Sequence, residues 1–257
     1  MINKESILGF ASNDEEKIVF SKVYDLYTRC LNKDIYTYTS FLTPSEQIKI
    51  RKAFSVERNL EFYGGYDDAE RKILSFIPFS DYGQKDYPIS KLKIYTKDKR
   101  VFSHRDYLGS ILSLGVKREK IGDILIFDTF AVCFCHTEIA DFLIYNLNKI
   151  AHSNIFVEIF SENCYNFIKQ FKEVHYTVAS MRLDAVASAF TKKSRAVSAE
   201  LIKRGLVNVN YLACDNVSYT VKDGDIISVK GFGKAIINTE NSLTKKGRIN
   251  ITVKYYV

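Results

Sequence analysis

The chain has 257 residues, of which 46% are hydrophobic and 14% aromatic. This composition is too apolar for a disordered protein, and the length fits two or three domains. There is no signal peptide pattern and no run approaching the roughly 18 apolar residues of a membrane helix, so we expect a soluble cytoplasmic protein. The five cysteines lack CxxC spacing, and we expect no disulfide framework, no metal site and no cofactor.

The basic excess is confined to the end of the chain. The formal net charge is +7, and residues 181–257 hold 13 Lys and Arg against 6 Asp and Glu. Residues 1–180 are balanced, with 24 of each sign. Such asymmetry is typical of a surface that binds an anionic partner, although basic residues can also serve solubility.

Residues 1–82 are predicted to form a mainly helical domain. An amphipathic pattern covers residues 15–31. A second helix is predicted at Thr43, which can cap the helix, with Pro44 at its first position and Glu46 bonding back to the cap. Residues 59–79 predict a short strand, a turn at Gly64 and Gly65, and a further helix or turn.

Residues 83–178 are predicted to form a ferredoxin-like domain. Strand patterns at 92–96, 123–128, 130–136 and 155–160 and helix patterns at 105–114 and 138–150 give the order β-α-β-β-α-β. RNA-recognition domains share this topology and stack bases on aromatic rings, for which Tyr95, Phe130 and Phe134 are available. Their glycine-rich signature is absent, and buried packing is the favoured role of these rings.

Residues 181–257 begin with two predicted helices. The first has an apolar face made by Leu183, Val186, Ala187 and Phe190. The second is predicted to start after a Ser194 cap, to place Val197 and Leu201 on its inner face, and to end at Gly205. Strand patterns follow at 206–210, 225–230 and the C-terminus, with a turn at Asp223 and Gly224.

The motifs of this last segment resemble a known domain. The stretches RLD, KKSRAVSAELIKRGLVNVN and VKDGDIISVKGFGK, in this order, resemble the S-four (αL-type) RNA-binding domain. Upstream, FLTPSEQ, GGYDDAERK and HRDYLGSILSLGVKREKIGDI resemble the YlmH-like family of bacterial proteins. That family joins an N-terminal domain and a ferredoxin-like RNA-binding domain to a C-terminal S-four domain. The implied class is α+β, with domains at 1–82, 83–178 and 181–257.

Basic residues surround the apolar pattern of the predicted helices, where they could neutralise RNA phosphates together. Ser194 would add a helix N-terminus, which favours phosphate oxygens. Asp184 breaks the basic pattern, and we expect it to anchor Arg182 or a nearby backbone group. A solvated, non-binding face is the alternative reading of such charges. The predicted RNA-binding residues are Arg182, Lys192, Lys193, Ser194, Arg195, Lys203, Arg204, Lys230 and Lys234.

The resemblance implies a non-catalytic RNA-binding protein of the translation apparatus. Its implied partners are ribosomal RNA or ribosome–tRNA complexes, with tRNA as a further RNA partner, and in particular large subunits left with a stalled nascent chain. The alternative is an RNA-modifying enzyme anchored by its S-four domain, although synthetase and methyltransferase signatures are missing. The triplet at His104 resembles a kinase catalytic loop but lacks the Asn that should follow, and we interpret it as chance. A protein-interaction role for residues 1–80 stays open.

Overall fold

The computed structural model of the chain describes residues 2–80, 83, 86–162, 167, 171–244 and 247–256, with backbone alone for 241–243. Contacts divide it into two compact units, residues 1–167 and 168–257. Across these described ranges, no helix has both the length and the apolar character needed to cross a membrane. The division into three domains stays a prediction.

The first part of the chain contains helices packed on a small sheet. Its elements are α1 (Lys4–Leu8), α2 (Asp14–Lys33), β1 (Thr37–Leu42), α3 (Pro44–Ala53), β2 (Leu60–Tyr63) and β3 (Lys72–Phe76). The predicted cap of α3 is confirmed, because the Thr43 side chain accepts from Glu46 N while Thr43 N donates to the Glu46 carboxylate at 2.6 Å. The predicted helix α2 is also confirmed.

The prediction of a helix or turn before Pro78 is wrong, because this segment is the central strand β3. Its antiparallel sheet has the order β1-β3-β2. Ile73 packs against residues of the middle segment (83–178), and Leu74 packs against the N-terminal helices. Both side chains are fully buried. A strand buried on both faces is a continuous apolar run without alternation, which periodicity cannot distinguish from a buried helix.

The middle of the chain has the predicted split β-α-β order. Its elements are β4 (Ile89–Tyr95), α4 (His104–Ser113), β5 (Ile121–Ile126), β6 (Phe130–His136), α5 (Ala140–Asn146), β7 (Lys149–Ile150), β8 (Ser153–Asn154) and β9 (Phe156–Ile159). The four main strands form an antiparallel sheet of order β5-β6-β4-β9, the ferredoxin-like arrangement. The helix predicted to reach residue 150 ends at Asn146, and the β7–β8 hairpin begins soon after it, at Lys149.

The second face of the middle sheet packs against the first part of the chain. The Phe134 ring lies 5.1 Å from the Tyr66 ring, and both are buried. The carboxylate of Asp123, on β5, accepts hydrogen bonds from the Tyr66 hydroxyl at 2.9 Å and from the backbone N–H groups of Glu70 and Arg71. These contacts explain why residues 1–167 form one compact unit.

The second unit is a helical pair on a six-stranded sheet. Its elements are β10 (Phe171–Val178), α6 (Leu183–Thr191), α7 (Arg195–Lys203), β11 (Val207–Val209), β12 (Leu212–Ala213), β13 (Ile226–Val229), β14 (Gly233–Leu243) and β15 (Ile249–Tyr256). The sheet has the order β10-β15-β14-β13-β11-β12. The sequence did not predict β10, which pairs along its whole length with β15.

The helices α6 and α7, called the helical hairpin below, follow the prediction with one correction. Leu183, Val186 and Phe190 are buried in the core of this unit, as expected. Val197 was predicted to face inward but is 43% exposed, and α7 instead buries Ser198 and Ile202. Positions 198 and 202 are one helical turn apart, so the apolar stripe runs one position later than predicted.

Candidate nucleic-acid interface

The junction of the helical hairpin has a fixed backbone. Lys192 ends α6 in the left-handed conformation, with φ of 56°, which reverses the chain. The Ser188 hydroxyl donates to the Lys193 carbonyl at 2.7 Å, and Ser194 caps α7 by accepting from Val197 N at 3.3 Å. Lys192 and Lys193 are therefore exposed on a turn that is held at both ends.

Asp184 connects the starts of the two helices. This buried carboxylate accepts from Arg182 Nε at 3.2 Å, from Arg195 Nη2 at 2.6 Å and from Ala185 N at 2.9 Å. The expected anchoring of Arg182 is confirmed, and the link to Arg195 was not predicted. Burial would raise the pKa of Asp184, but the hydrogen bonds from Arg195 and Arg182 outweigh burial and hold that pKa below its ordinary value.

The two arginines keep donors for a ligand. Their side chains are about half exposed, at 44% for Arg182 and 52% for Arg195. A guanidinium has five N–H donors in a planar fork, and Asp184 occupies only one edge of each. Asp184 therefore orders the arginines without neutralising the surface, because two cations share one carboxylate.

A second basic group lies at the other end of α7. Lys203 and Arg204 are exposed where the helix ends, and Lys230 is exposed in the β13–β14 turn. The Lys230 backbone N donates to Leu206 O at 2.9 Å, which ties this turn to the segment after α7. An open cleft of about 390 Å³ lies between this turn and the segment after α7, and its lining residues include Gly205 and Lys230. Apart from Lys234, the predicted site residues thus form two groups, separated by the length of α7, on the order of 13 Å.

Lys234 differs from the other predicted residues. Its Nζ lies 4.1 Å from the Tyr256 ring centroid and 5.5 Å from the Tyr211 ring centroid. Such cation–π contacts stabilise an ammonium at a partly buried position. Its charge is therefore engaged within the sheet, whereas Lys192, Lys193, Lys203 and Lys230 are exposed.

Arg248 is a basic residue at the junction that the sequence did not predict. It lies directly before β15 and donates from Nη2 to Thr177 O at 2.6 Å and from Nε to Thr177 Oγ1 at 3.2 Å. It is far from the hairpin in sequence, and only the pairing of β10 with β15 brings it close. A predicted strand at 171–178 would have indicated this approach, because Arg248 directly precedes the strand that pairs with it.

The aromatic residues of the middle sheet differ in how deeply they are buried. Phe134 is fully buried, which confirms packing as its role. Tyr95 is only half-buried, and its ring stacks on Phe156 at 5.6 Å. Lys93 Nζ lies 5.2 Å from the Tyr95 ring and 5.3 Å from the Phe130 ring and pairs with a neighbouring glutamate. Packing alone therefore does not describe Tyr95 and Phe130, because parts of their rings face solvent.

The two cysteines of β6 are buried within the sheet. Burial raises the pKa of the Cys135 thiol to about 12 and raises that of the Cys133 thiol well above its ordinary value. Thiols with such pKa values are protonated at neutral pH and are poor metal ligands. Among the described residues, no group of three or more His, Cys, Asp or Glu side chains is placed to hold a metal ion.

The fold and the basic hairpin define an RNA-binding protein with a C-terminal S4 domain. Residues 181–227 match the S4 domain family, and residues 83–163 match the family described as a putative RNA-binding domain in YlmH. The ribosome-associated protein quality control protein P2 of Bacillus subtilis (strain 168) is 33% identical over 218 residues, 83% of this chain and 85% of that protein. The chain belongs to the YlmH family.

One solved structure is also similar in shape. It is described as cell division protein ylmH from Streptococcus pneumoniae, with 18% identity and a TM-score of 0.48. The match covers 58% of this chain and 93% of that chain. This likeness is too loose to bear on function.

Proposed function

We propose that this protein is a non-catalytic, ribosome-associated RNA-binding protein that binds ribosomal RNA through the helical hairpin. The observation that carries the proposal is the junction of α6 and α7, where Asp184 orders Arg182 and Arg195 beside the exposed Lys192 and Lys193. Cations held in place before binding lose less conformational freedom when RNA arrives, and each neutralised phosphate releases counterions.

The large ribosomal subunit is the partner we propose, with a stalled nascent chain still attached. The Bacillus subtilis relative is named for ribosome-associated quality control, and the identity to it extends over most of both chains. A tRNA retained on such a subunit would be a further RNA partner. Binding of this kind needs no chemistry from the protein, and its place would be the cytoplasm.

The two basic groups of the hairpin support binding to a folded RNA rather than to a single phosphate. They lie at opposite ends of α7, so they can contact phosphates that are well separated along the RNA surface. The second group includes Lys203, Arg204 and Lys230. Residues 1–167 would orient the hairpin on the RNA or add further contacts to the RNA.

Co-sedimentation with purified large ribosomal subunits tests the proposal. The variant Lys192→Gln, Lys193→Gln, Lys203→Gln removes three charges without leaving Asp184 unpaired. The matched control Lys33→Gln, Lys52→Gln, Lys222→Gln removes three exposed charges elsewhere. At moderate salt, we expect the first variant no longer to co-sediment with the subunits, whereas the control variant should still co-sediment with them. Equal binding by both variants would contradict the proposal.

A further inference from the structure

The α6–α7 junction borders a cleft formed together with the strands. The cleft has a volume of about 360 Å³, and four of its lining residues are Lys192, Lys193, Arg195 and Arg248. Its floor includes small side chains such as Ala185, and no acidic side chain is among the lining residues. Since a water molecule occupies about 30 Å³ in the liquid, there is room for on the order of ten waters, or for a phosphate with part of its sugar.

Arg248 is fixed at the cleft by the sheet. Antiparallel pairing places Thr177 opposite Asn250 and Val178 opposite Ile249, so the start of β15 lies beside the end of β10. Two N–H groups of Arg248 bond to Thr177, which leaves three of its five donors for a ligand. The side chain is exposed, so a ligand in the cleft can reach these donors.

The other cations that line the cleft come from the helical hairpin. Lys192 keeps a side chain at a left-handed backbone position, where glycine is the residue of lowest strain. Arg195 is the first residue of α7 and lines the cleft, so the positive end of that nine-residue helix lies beside the cleft. Four like charges around a small cleft repel one another, and a bound anion relieves that repulsion.

We propose that this cleft binds one phosphodiester group of an RNA chain, with Arg248 as the contact supplied by the sheet. The planar guanidinium fork matches two phosphate oxygens, and the lysines of the hairpin add positive charge. Arg248 lies beyond residues 181–227, the part of the chain that matches the S4 family. This inference rests on the proposed function, because it takes the hairpin to be the RNA-binding surface.

The test measures how the affinity for a labelled RNA stem-loop depends on salt concentration. Phosphate contacts do not depend on sequence, so any stem-loop reports on them. Arg248→Gln removes the charge and keeps donors for Thr177, Arg248→Lys keeps the charge, and Lys222→Gln removes an exposed charge from the same unit away from the cleft. Thermal unfolding of each full-length variant verifies that it is folded.

We expect Arg248→Gln to reduce the slope of log affinity against log salt by about one and to weaken binding several-fold at fixed salt. Arg248→Lys should keep the slope, and Lys222→Gln should match the unmodified chain. The cleft assignment is overturned if Arg248→Gln behaves like Lys222→Gln, or if Arg248→Lys loses as much slope as Arg248→Gln.

A fourth variant separates this inference from the proposed function. Lys192→Gln with Lys193→Gln should lower the slope by about two. If these lysines lower the slope and Arg248→Gln does not, the hairpin binds RNA and only the cleft assignment fails. If the unmodified chain shows no salt-dependent RNA binding, the proposed function fails.

Discussion

Asp184 Oδ2 lies 2.6 Å from Arg195 Nη2 and joins the first turn of α6 to the first turn of α7. The same carboxylate also binds Arg182, so one buried acid orders two cations on the outer surface of the hairpin. This pairing serves both stability and binding, because the side chain that holds the helices together also sets where the arginines present their remaining donors.

Asp184→Asn tests that double role. We expect the second unit to lose about 1–2 kcal/mol of unfolding free energy, because the carboxylate charge is lost and one of its two acceptor oxygens is replaced by an amide nitrogen, which cannot accept from an arginine. RNA affinity should fall as well, although the variant is more positive than the unmodified chain. Thermal unfolding and RNA titration on the same samples measure both effects. Tighter RNA binding by Asp184→Asn would mean that charge alone matters and that the arginines need no ordering.

The pH dependence of stability follows from the lowered pKa of Asp184. A carboxylate with a folded-state pKa below its unfolded value of about 3.9 contributes its full stabilisation above that value. The contribution is lost as pH falls through the folded-state pKa. We therefore expect the difference in unfolding temperature between the unmodified chain and Asp184→Asn to be constant near neutral pH and to shrink below about pH 4. An unchanged difference down to strongly acidic pH would contradict this assignment.

Lys192→Gly should separate stability from binding. Lys192 has a φ of 56°, a conformation that costs a residue with a side chain about 1 kcal/mol. Glycine relieves this strain but adds freedom to the unfolded chain, so we expect the unfolding free energy to change by less than about 1 kcal/mol. RNA binding should nevertheless weaken, because a cation of the junction is lost.

Lys99→Gly is the matched control for Lys192→Gly. Lys99 is also an exposed lysine in the left-handed conformation, with φ of 59°, but it lies in the first unit. Its replacement should have a similar effect on stability and leave RNA affinity unchanged. If both variants weaken RNA binding equally, Lys192 has no special role.

Two glycines of the first unit test how tightly the middle sheet packs against the N-terminal part. A Cβ at Gly122 would lie 2.7 Å from Cε1 of the buried Phe41 ring, so we expect Gly122→Ala to cost about 1–3 kcal/mol. Gly109 lies inside α4, where a Cβ would meet nothing within 4 Å. Gly109→Ala should stabilise the protein by about 0.5–1 kcal/mol. A Gly122→Ala variant that is as stable in thermal unfolding as the unmodified chain would contradict this packing.

Local signals in the sequence predicted local structure well. The caps at Thr43 and Ser194 start helices where expected, because capping depends on residues only three apart. The order of elements in the middle segment was also predicted. Helix ends were less certain, as the early end of α5 at Asn146 shows, because tertiary pairing of the following residues determines them.

Long-range pairing accounts for what the sequence did not predict. The strand β3 is buried on both faces, and β10 is a strand only because β15 pairs with it. The link from Asp184 to Arg195 and the approach of Arg248 to the junction depend on packing of distant segments. The composition of the sequence predicted a basic C-terminal unit. Only the fold showed that its cations form two groups and that a cleft lies beside one of them.

Lysine footprinting of the complex with purified large ribosomal subunits shows whether the helical hairpin is the RNA-binding surface. An amine-specific acetylating reagent is applied to the free and the bound full-length protein, and modification of each lysine is measured by mass spectrometry. We expect the bound RNA to protect Lys192, Lys193, Lys203 and Lys230, while the exposed Lys33, Lys52 and Lys222 stay reactive. If the first four lysines are as reactive in the complex as in the free protein, the helical hairpin is not the RNA-binding surface.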